Sequence, residues 1–297
     1  MGRGSYTAAD WAKLRNSRNL GGATSETEIF RRDSCDPRFD PKFIQAREAR
    51  DSEDHPESLP IILGLDVTGS MGYLAKAVAQ TALNETMMKL YSTNAIKDPA
   101  LMFAAYGDYQ DDAPLQVTQF ESDIRIAEQL LDLWIEDCGS GQVTLSSLWY
   151  FAGRHTLLDN YEKRGKKGFL ITIGDCAPCR DLGRGRKGFY ERVFGEDVTD
   201  TERDVLAAAQ EKFEVFHLFL DDSLQRAHNI VEMLPGHTMV IRPGEIEAIP
   251  EILISVMQMT LGKNIKDILA QWDELKRPIV EQALRYLEIK DVGGIVF

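Results

Sequence analysis

Three oxygen-bearing side chains, spaced two residues apart, follow an apolar run near the first quarter of the chain. Residues 61–65 are almost wholly apolar and predict a buried strand. Asp66, Thr68 and Ser70 come directly after it, where a helical pattern over 71–92 begins. Ligands of open α/β sheets bind at such strand ends. Carboxylate and hydroxyl oxygens suit a hard cation such as Mg²⁺.

A second interpretation of these residues needs no ligand. Thr68 and Ser70 are good N-cap residues, and their hydroxyls could accept hydrogen bonds from the first turn of the following helix. Asp66 would then bond the backbone of its own loop. From these residues alone, both interpretations stay open.

Apolar and amphipathic segments alternate along the rest of the chain. This alternation predicts a Rossmann-like, doubly wound, mostly parallel sheet with helices on both faces. Segment 116–120 follows 101–107 after a short turn-rich gap, which predicts an antiparallel edge strand. The predicted strands are 60–66, 101–107, 116–120, 168–174, 213–220 and 238–242. The predicted helices are 71–92, 122–136, 144–159, 199–211, 222–233, 246–261 and 264–290, the last interrupted near Pro278.

Composition limits the classes of partner. The net charge of −13 argues against a general binder of nucleic acid or of anionic membranes. No apolar stretch is long enough to span a membrane, and the N-terminus lacks a signal-peptide core. Four cysteines are too few for a disulfide scaffold. We therefore expect a cytoplasmic protein.

The motif at 66–70 resembles the metal-ion-dependent adhesion site (MIDAS) of von Willebrand factor A (VWA) domains, usually Asp-x-Ser-x-Ser. Thr68 stands at the middle position and keeps the hydroxyl. The order of further segments is similar to that of the A domains of alpha-kinases and related bacterial proteins. These segments are 105–109, 139–141, 170–175 and 176–179. The resemblance covers about residues 59–262, leaving 1–58 as a polar N-terminal extension and linker and 263–297 as a C-terminal helical extension.

The resemblance implies roles for residues beyond the motif. An Asp at the position of Asp175 completes the metal shell in such domains, often through water. A loop hydroxyl adds a further ligand, for which Ser140 and Thr144 are the candidates. Thr144 also fits as a helix N-cap. Asp108 is a candidate for the surroundings of the metal, or equally a turn residue.

Two neighbouring features have open interpretations. Cys176 and Cys179 form a CxxC pair, but the sequence identifies no fourth ligand for zinc. Four basic residues follow in an otherwise acidic protein, and they either form a solvated loop or steer an acidic partner towards the metal. They are Arg180, Arg184, Arg186 and Lys187.

The resemblance implies a non-enzymatic protein-binding module that holds Mg²⁺ or Mn²⁺ and accepts an acidic group of a partner protein. Intracellular bacterial proteins that it resembles often act with AAA+ ATPases or as parts of larger complexes, so an AAA+ ATPase or a co-encoded protein is a candidate partner by analogy. One alternative is a scaffold with a vestigial metal site. Another is a phosphatase of the haloacid dehalogenase type, but Thr68 replaces the second Asp of that motif, which removes the proton donor.

Overall fold

The computed structural model describes six stretches of the chain. They are residues 5–21, 25–93, 96–136, 142–180, 182–221 and 227–288.

Ten strands and thirteen α-helices occur within these stretches. The strands are β1 Arg47–Ala49, β2 Leu59–Asp66, β3 Pro99–Tyr106, β4 Leu115–Val117, β5 Gln142–Val143, β6 Thr156–Leu158, β7 Gly168–Gly174, β8 Ala177–Pro178, β9 Phe213–Leu220 and β10 Thr238–Ile241. The helices are α1 Ala8–Ser17, α2 Glu26–Ile29, α3 Gly72–Ala77, α4 Leu83–Ser92, α5 Arg125–Leu131, α6 Leu145–Arg154, α7 Asp159–Glu162, α8 Phe189–Phe194, α9 Glu202–Lys212, α10 His228–Met233, α11 Ile249–Thr260, α12 Ile265–Leu269 and α13 Lys276–Leu284. Short 3₁₀ turns span Pro41–Phe43, Gly69–Met71 and Pro243–Ala248, and a π-helical turn, Val78–Ala82, joins α3 to α4.

Six strands form the central sheet in the order β10-β9-β7-β2-β3-β4. All neighbours are parallel except β3 and β4, which pair antiparallel at the edge. Apolar side chains on the two faces of the sheet belong to two separate clusters, each covered by helices. The predicted doubly wound α/β fold with an antiparallel edge strand is confirmed.

Helix α6 is shorter than the sequence predicts. It ends at Arg154 rather than at 159, because residues 156–158 are extended and form β6, which pairs in parallel with β1. Helix α8, which precedes Gly195, was not predicted at all. Both differences concern short segments whose conformation depends on contacts with distant parts of the chain.

The N-terminal extension packs on the main domain. Trp11 and Phe30 are buried in the same cluster as the sheet residues, whereas Phe43 is 68% exposed and does not dock. The polar character of residues 48–58 predicts a solvated linker there, and this prediction is wrong in part. Ala49, inside this stretch, is fully buried in β1. The division at residues 58 and 59 stays a prediction.

The C-terminal extension forms two helices instead of one interrupted helix. Its helical pattern is broken between α12 and α13, not at Pro278. Pro278 lies in the first turn of α13, where a missing backbone N–H costs nothing. Trp272, between the two helices, donates a hydrogen bond from Nε1 to Ser255 Oγ at 2.8 Å. Residues 289–297, including the end of the predicted helix, lie outside the described residues.

Within the described stretches, no helix is both long enough and apolar enough to cross a membrane.

Candidate metal-binding site

The candidate site lies at the point where the order of the strands in the central sheet reverses. Strand β2 is followed along the chain by β3 on one side, while β7 pairs on its other side. Asp66 ends β2 opposite Tyr106 of β3, and Leu65 pairs with Ile173 of β7. Asp175 directly follows β7, so both carboxylates stand at the carboxyl ends of neighbouring parallel strands. Such a crevice is the usual ligand site of open α/β sheets.

The loop after β2 is held by the Asp66 carboxylate. Thr68 donates from its backbone N–H at 3.0 Å and from Oγ1 at 2.7 Å, both to Asp66 Oδ1. The Met71 N–H then bonds the Thr68 carbonyl at 2.7 Å, which starts the turn leading into α3. Thr68 makes no side-chain capping bond. The capping interpretation therefore fails for Thr68, while the bond from Asp66 to its own loop is present.

The second oxygen of Asp66 is buried without a hydrogen bond. Asp66 is fully buried, and Oδ2 has no partner of normal geometry among the described residues. Desolvation makes an unpaired carboxylate oxygen costly in such a place. A cation bound there would supply the missing interaction.

A second carboxylate and a thiol complete a group of possible ligands. One ligand atom each of Asp66, Asp175 and Cys176 lies within 4.8 Å of the others. The Cys176 thiol is 3.2 Å from Asp175 Oδ1 and 3.5 Å from Thr68 Oγ1. The residues present therefore fit a divalent cation: two carboxylates, one of them with an unsatisfied buried oxygen, lie close to a hydroxyl and a sulfur.

Burial controls the protonation of this group. Desolvation raises the pKa of Asp66 to about 7, against the two hydrogen bonds from Thr68, and the charge of Asp175 raises it further. Burial likewise raises the pKa of the Cys176 thiol to about 12, with the Asp66 charge adding to the shift. A bound cation favours the deprotonated form of each ligand, so it would oppose both shifts.

Gly174 makes room for the Asp66 carboxylate. A Cβ at this position would lie 2.7 Å from Asp66 Cβ, 2.8 Å from Asp66 Oδ2 and 2.9 Å from the Tyr106 hydroxyl. Tyr106 is fully buried and donates to the Ile173 carbonyl at 2.9 Å. The close approach of β2 and β7 at their ends thus requires a residue without a side chain.

The N-terminal extension reaches the edge of the site. The carboxylate of Glu26, in α2, lies against Gly72 at the start of α3, where any Cβ would collide with it. Ile29, one turn further on, is buried in the cluster that includes Met71 and Leu74. The N-terminal extension therefore helps to fix the helix that follows the Asp66 loop.

The remaining predicted ligands differ in where they lie. Thr144 is fully buried, and its hydroxyl bonds the carbonyls of Gly107 at 3.1 Å and Pro114 at 2.8 Å. It makes no capping bond to α6. Ser140 and the side chain of Ser70 lie outside the described residues. The ligand roles of all three stay predictions.

Asp108 forms hydrogen bonds within a turn that follows β3. It is fully buried, its Oδ1 accepts from the Gln110 N–H at 2.9 Å, and its backbone N–H donates to Asp111 Oδ2 at 2.8 Å. Asp108 also forms an isolated bridge with Val143, which connects this turn to β5. The turn interpretation agrees with these contacts, and a place around the metal stays a prediction.

The basic loop has several partners within the chain. Arg180 bonds Asn229 at 3.2 Å and Glu232 at 3.5 Å, both in α10. Arg184 donates to the Thr199 carbonyl at 3.2 Å. These two arginines are therefore partly engaged away from the site.

The other two basic residues border a small cleft. The Arg186 guanidinium stacks on the Tyr109 ring, with its carbon 4.1 Å from the ring centre. Lys187 is exposed and lines the same cleft of about 300 Å³, together with Phe189 and Arg192. The predicted steering of an acidic partner stays a prediction for all four basic residues.

The two cysteines of the CxxC pair have different surroundings. Cys176 lies in the ligand group, whereas the buried Cys179 donates a weak bond to the Arg180 carbonyl at 3.8 Å. Cys138 lies outside the described residues. The described structure thus gives no zinc site made of both residues of the pair.

Sequence reasoning missed two contributors. The sequence presents Cys176 as half of a CxxC pair, although its place directly after Asp175 is a usable signal. Glu26 lies forty residues before Asp66 in a polar segment, and no local pattern could place it beside α3.

Comparison with known proteins gives structural neighbours only. No protein-family profile matches the sequence, and no curated protein is similar to it in sequence. Two structures of the pilus adhesin SpaC from Lactobacillus rhamnosus GG each match at 11% identity with a TM-score of 0.46, over 70% of this chain and 31% of theirs. A von Willebrand factor type A protein from Catenulispora acidiphila matches at 16% identity with a TM-score of 0.35, over 70% of this chain and 44% of its own.

This chain therefore spans less than half the length of each of these neighbours. The likeness concerns the fold alone.

Proposed function

We propose that this chain is a non-catalytic, metal-dependent protein-binding module. The observation that carries the proposal is Asp66 Oδ2, which is buried at the switch point of the sheet beside Asp175 and has no hydrogen-bond partner among the described residues. Keeping such an oxygen without a partner lowers stability. A cation site gives a functional reason for it.

Each ligand has a defined task in this proposal. Asp66 and Thr68 hold the cation at the end of β2, together with Ser70. Asp175 faces it from the end of β7, and Ser140 or Thr144 adds a hydroxyl from the preceding loop. The cation, Mg²⁺ or Mn²⁺, supplies a Lewis-acidic position that can accept a carboxylate oxygen.

The partner is a protein that presents an acidic residue. A protein of net charge −13 repels acidic partners at long range, so local positive charge near the site matters for encounter. Arg186 and Lys187 are exposed on the loop that follows the Asp175 turn. They are suited to steer an acidic group, together with Arg180 and Arg184. An AAA+ ATPase in the cytoplasm is the candidate partner by analogy alone.

Affinity capture under three conditions tests the proposal. The immobilised wild-type chain is compared in Mg²⁺ and in EDTA, and with Asp66→Asn in Mg²⁺, with quantification of every retained protein. Asp267→Asn, at an exposed position of α12, is the matched control. We expect at least one protein retained by wild type and control in Mg²⁺ and lost in the other two samples. Identical sets in all samples would contradict the proposal and favour a scaffold with a vestigial site.

A further inference from the structure

We propose that Cys176 supplies a sulfur ligand at this site, so that the site prefers a thiophilic divalent cation of the Zn²⁺ class over Mg²⁺. This inference rests on the proposed function for the existence of a cation site. It changes the donor set from oxygen alone to two carboxylates and one thiolate.

The separations between the ligand atoms fit a small cation with mixed donors. In tetrahedral zinc coordination, bonds of about 2.3 Å to sulfur and 2.0 Å to oxygen place a sulfur and an oxygen ligand about 3.5 Å apart. The Cys176 sulfur lies 3.2 Å from Asp175 Oδ1 and 3.5 Å from Thr68 Oγ1. One ligand atom of Asp66 lies within 4.8 Å of both Asp175 and Cys176. The two sulfur–oxygen separations are therefore close to those of ligands around one ion.

The second oxygen of Asp66 gives a further observation that points to a ligand. Asp66 is fully buried, and its Oδ2 has no hydrogen-bond partner among the described residues. The other oxygen already accepts two bonds from Thr68. An arrangement that only stabilised the loop would not need Oδ2 to be left unsatisfied.

The backbone around Cys176 is fixed by a second small sheet. Strand β8 directly follows Cys176 and pairs in parallel with β5, and the Cys179 N–H bonds the Val143 carbonyl at 2.7 Å. This pairing holds the turn after β7 against the crevice. Cys179 itself is on the far side of β8 in sequence and bonds the Arg180 carbonyl, so it supplies no second sulfur.

The donor set decides which cation is preferred. Mg²⁺ takes oxygen ligands in octahedral geometry and keeps several waters, so a sulfur ligand counts against it. Thiolate ligands favour Zn²⁺ and its spectroscopic substitute Co²⁺. As the metal–sulfur bond forms, the thiol proton leaves to solvent and no electrons are transferred. Three protein ligands leave a coordination position for a group from outside.

Cobalt absorption spectroscopy reads the sulfur ligand directly. Metal-free chain, kept reduced, is titrated with Co²⁺ while bound metal is measured by equilibrium dialysis. We expect a near-ultraviolet sulfur-to-cobalt charge-transfer band that saturates at one Co²⁺ per chain. Cys176→Ser should lose the band and bind Co²⁺ at least about 10-fold more weakly, as expected for a lost contributor to a metal shell. Cys179→Ser is the matched control and should keep both.

Three outcomes separate the two proposals. Co²⁺ binding without the band, equal in wild type and Cys176→Ser but lost in Asp66→Asn, overturns the sulfur ligand and leaves the cation site standing. A Mg²⁺ affinity equal to or above that for Zn²⁺ in competition dialysis also overturns the preference. Absence of saturable Co²⁺, Zn²⁺ and Mg²⁺ binding overturns both proposals.

Discussion

At the scale of single residues, the site is defined by one carboxylate whose burial has a high desolvation free energy. One oxygen of Asp66 accepts hydrogen bonds from its own loop, and the other has no partner within the described stretches, at the edge where two parallel strands end. The sequence predicted this residue because an Asp-x-Thr-x-Ser pattern follows an apolar run. It could not predict the sulfur beside it, because the approach of Cys176 depends on how the turn after β7 folds.

Removing the charge of Asp66 should change the pH dependence of stability. Its pKa in the folded, metal-free chain is raised to about 7, against about 3.9 in the unfolded chain. The folded state then binds more protons between these values, so the free energy of unfolding falls as pH rises from about 4 to about 7. Relative to Asp66→Asn, wild type should lose roughly 2 to 4 kcal/mol over this interval.

Urea unfolding in EDTA at a series of pH values measures this difference. Both proteins contain the same remaining carboxylates, so subtracting the two curves isolates Asp66. A difference that stays constant between pH 4 and pH 7 would show that the buried carboxyl is not destabilised as we describe.

A side chain at Gly174 should disturb the same carboxylate from the other strand. In Gly174→Ala the new methyl group would lie within 2.9 Å of Asp66 and of the Tyr106 hydroxyl. Overpacking of this kind costs roughly 1–3 kcal/mol. Cation affinity should fall as well, because Asp66 must move. Thermal unfolding and a Mn²⁺ titration check both effects.

The control for this variant is Gly244→Ala. No heavy atom lies within 4 Å of a Cβ at Gly244, which belongs to a 3₁₀ turn. The control should leave stability and cation affinity almost unchanged. Equal behaviour of the two alanine variants would contradict the close packing at the end of β7.

At the scale of elements, the long apolar strands and amphipathic helices could be predicted, and the short pairings could not. Strands β2, β3 and β7 are nearly continuous apolar runs, which is the pattern of parallel strands covered on both faces. Strands β1 and β6 are three residues each, and their pairing joins the N-terminal extension to the segment that follows α6. Such pairings follow from tertiary contacts, which local patterns do not contain.

Loosening α2 should loosen the start of the helix that follows the Asp66 loop. Ile29 is 2% exposed and packs in the cluster that includes Leu74 of α3. Ile29→Ala should lower stability by about 2–5 kcal/mol. Amide hydrogen exchange in α3 should accelerate more than exchange in β9. Thr27→Ala, exposed on the same short helix, should change stability by no more than about 0.5 kcal/mol. Unchanged amide protection of α3 in Ile29→Ala would show that packing of α2 does not stabilise α3.

At the scale of the whole molecule, the extensions are part of the packing around the sheet. Trp11 and Phe30 from the N-terminal extension and Trp272 from the C-terminal extension belong to one buried cluster with sheet residues. The sequence showed the fold of the central region because its periodicity is regular. The first 58 residues have a polar pattern because their buried aromatic residues are far apart in sequence and surrounded by charged residues. Their burial is decided by the surface that the folded sheet and helices offer, not by their neighbours in sequence.

The central claim is that a divalent cation binds at Asp66, and calorimetric titration of the metal-free chain with Mn²⁺ tests it most directly. Mn²⁺ suits oxygen donors, so the Asp66 and Asp175 carboxylates can bind it whether or not Cys176 is a ligand. Wild type and Asp267→Asn should bind one Mn²⁺ per chain, with equal affinity. Asp66→Asn should give no saturable binding heat under the same conditions. Binding of Mn²⁺ to Asp66→Asn with wild-type affinity, or no binding to wild type at all, would contradict the account.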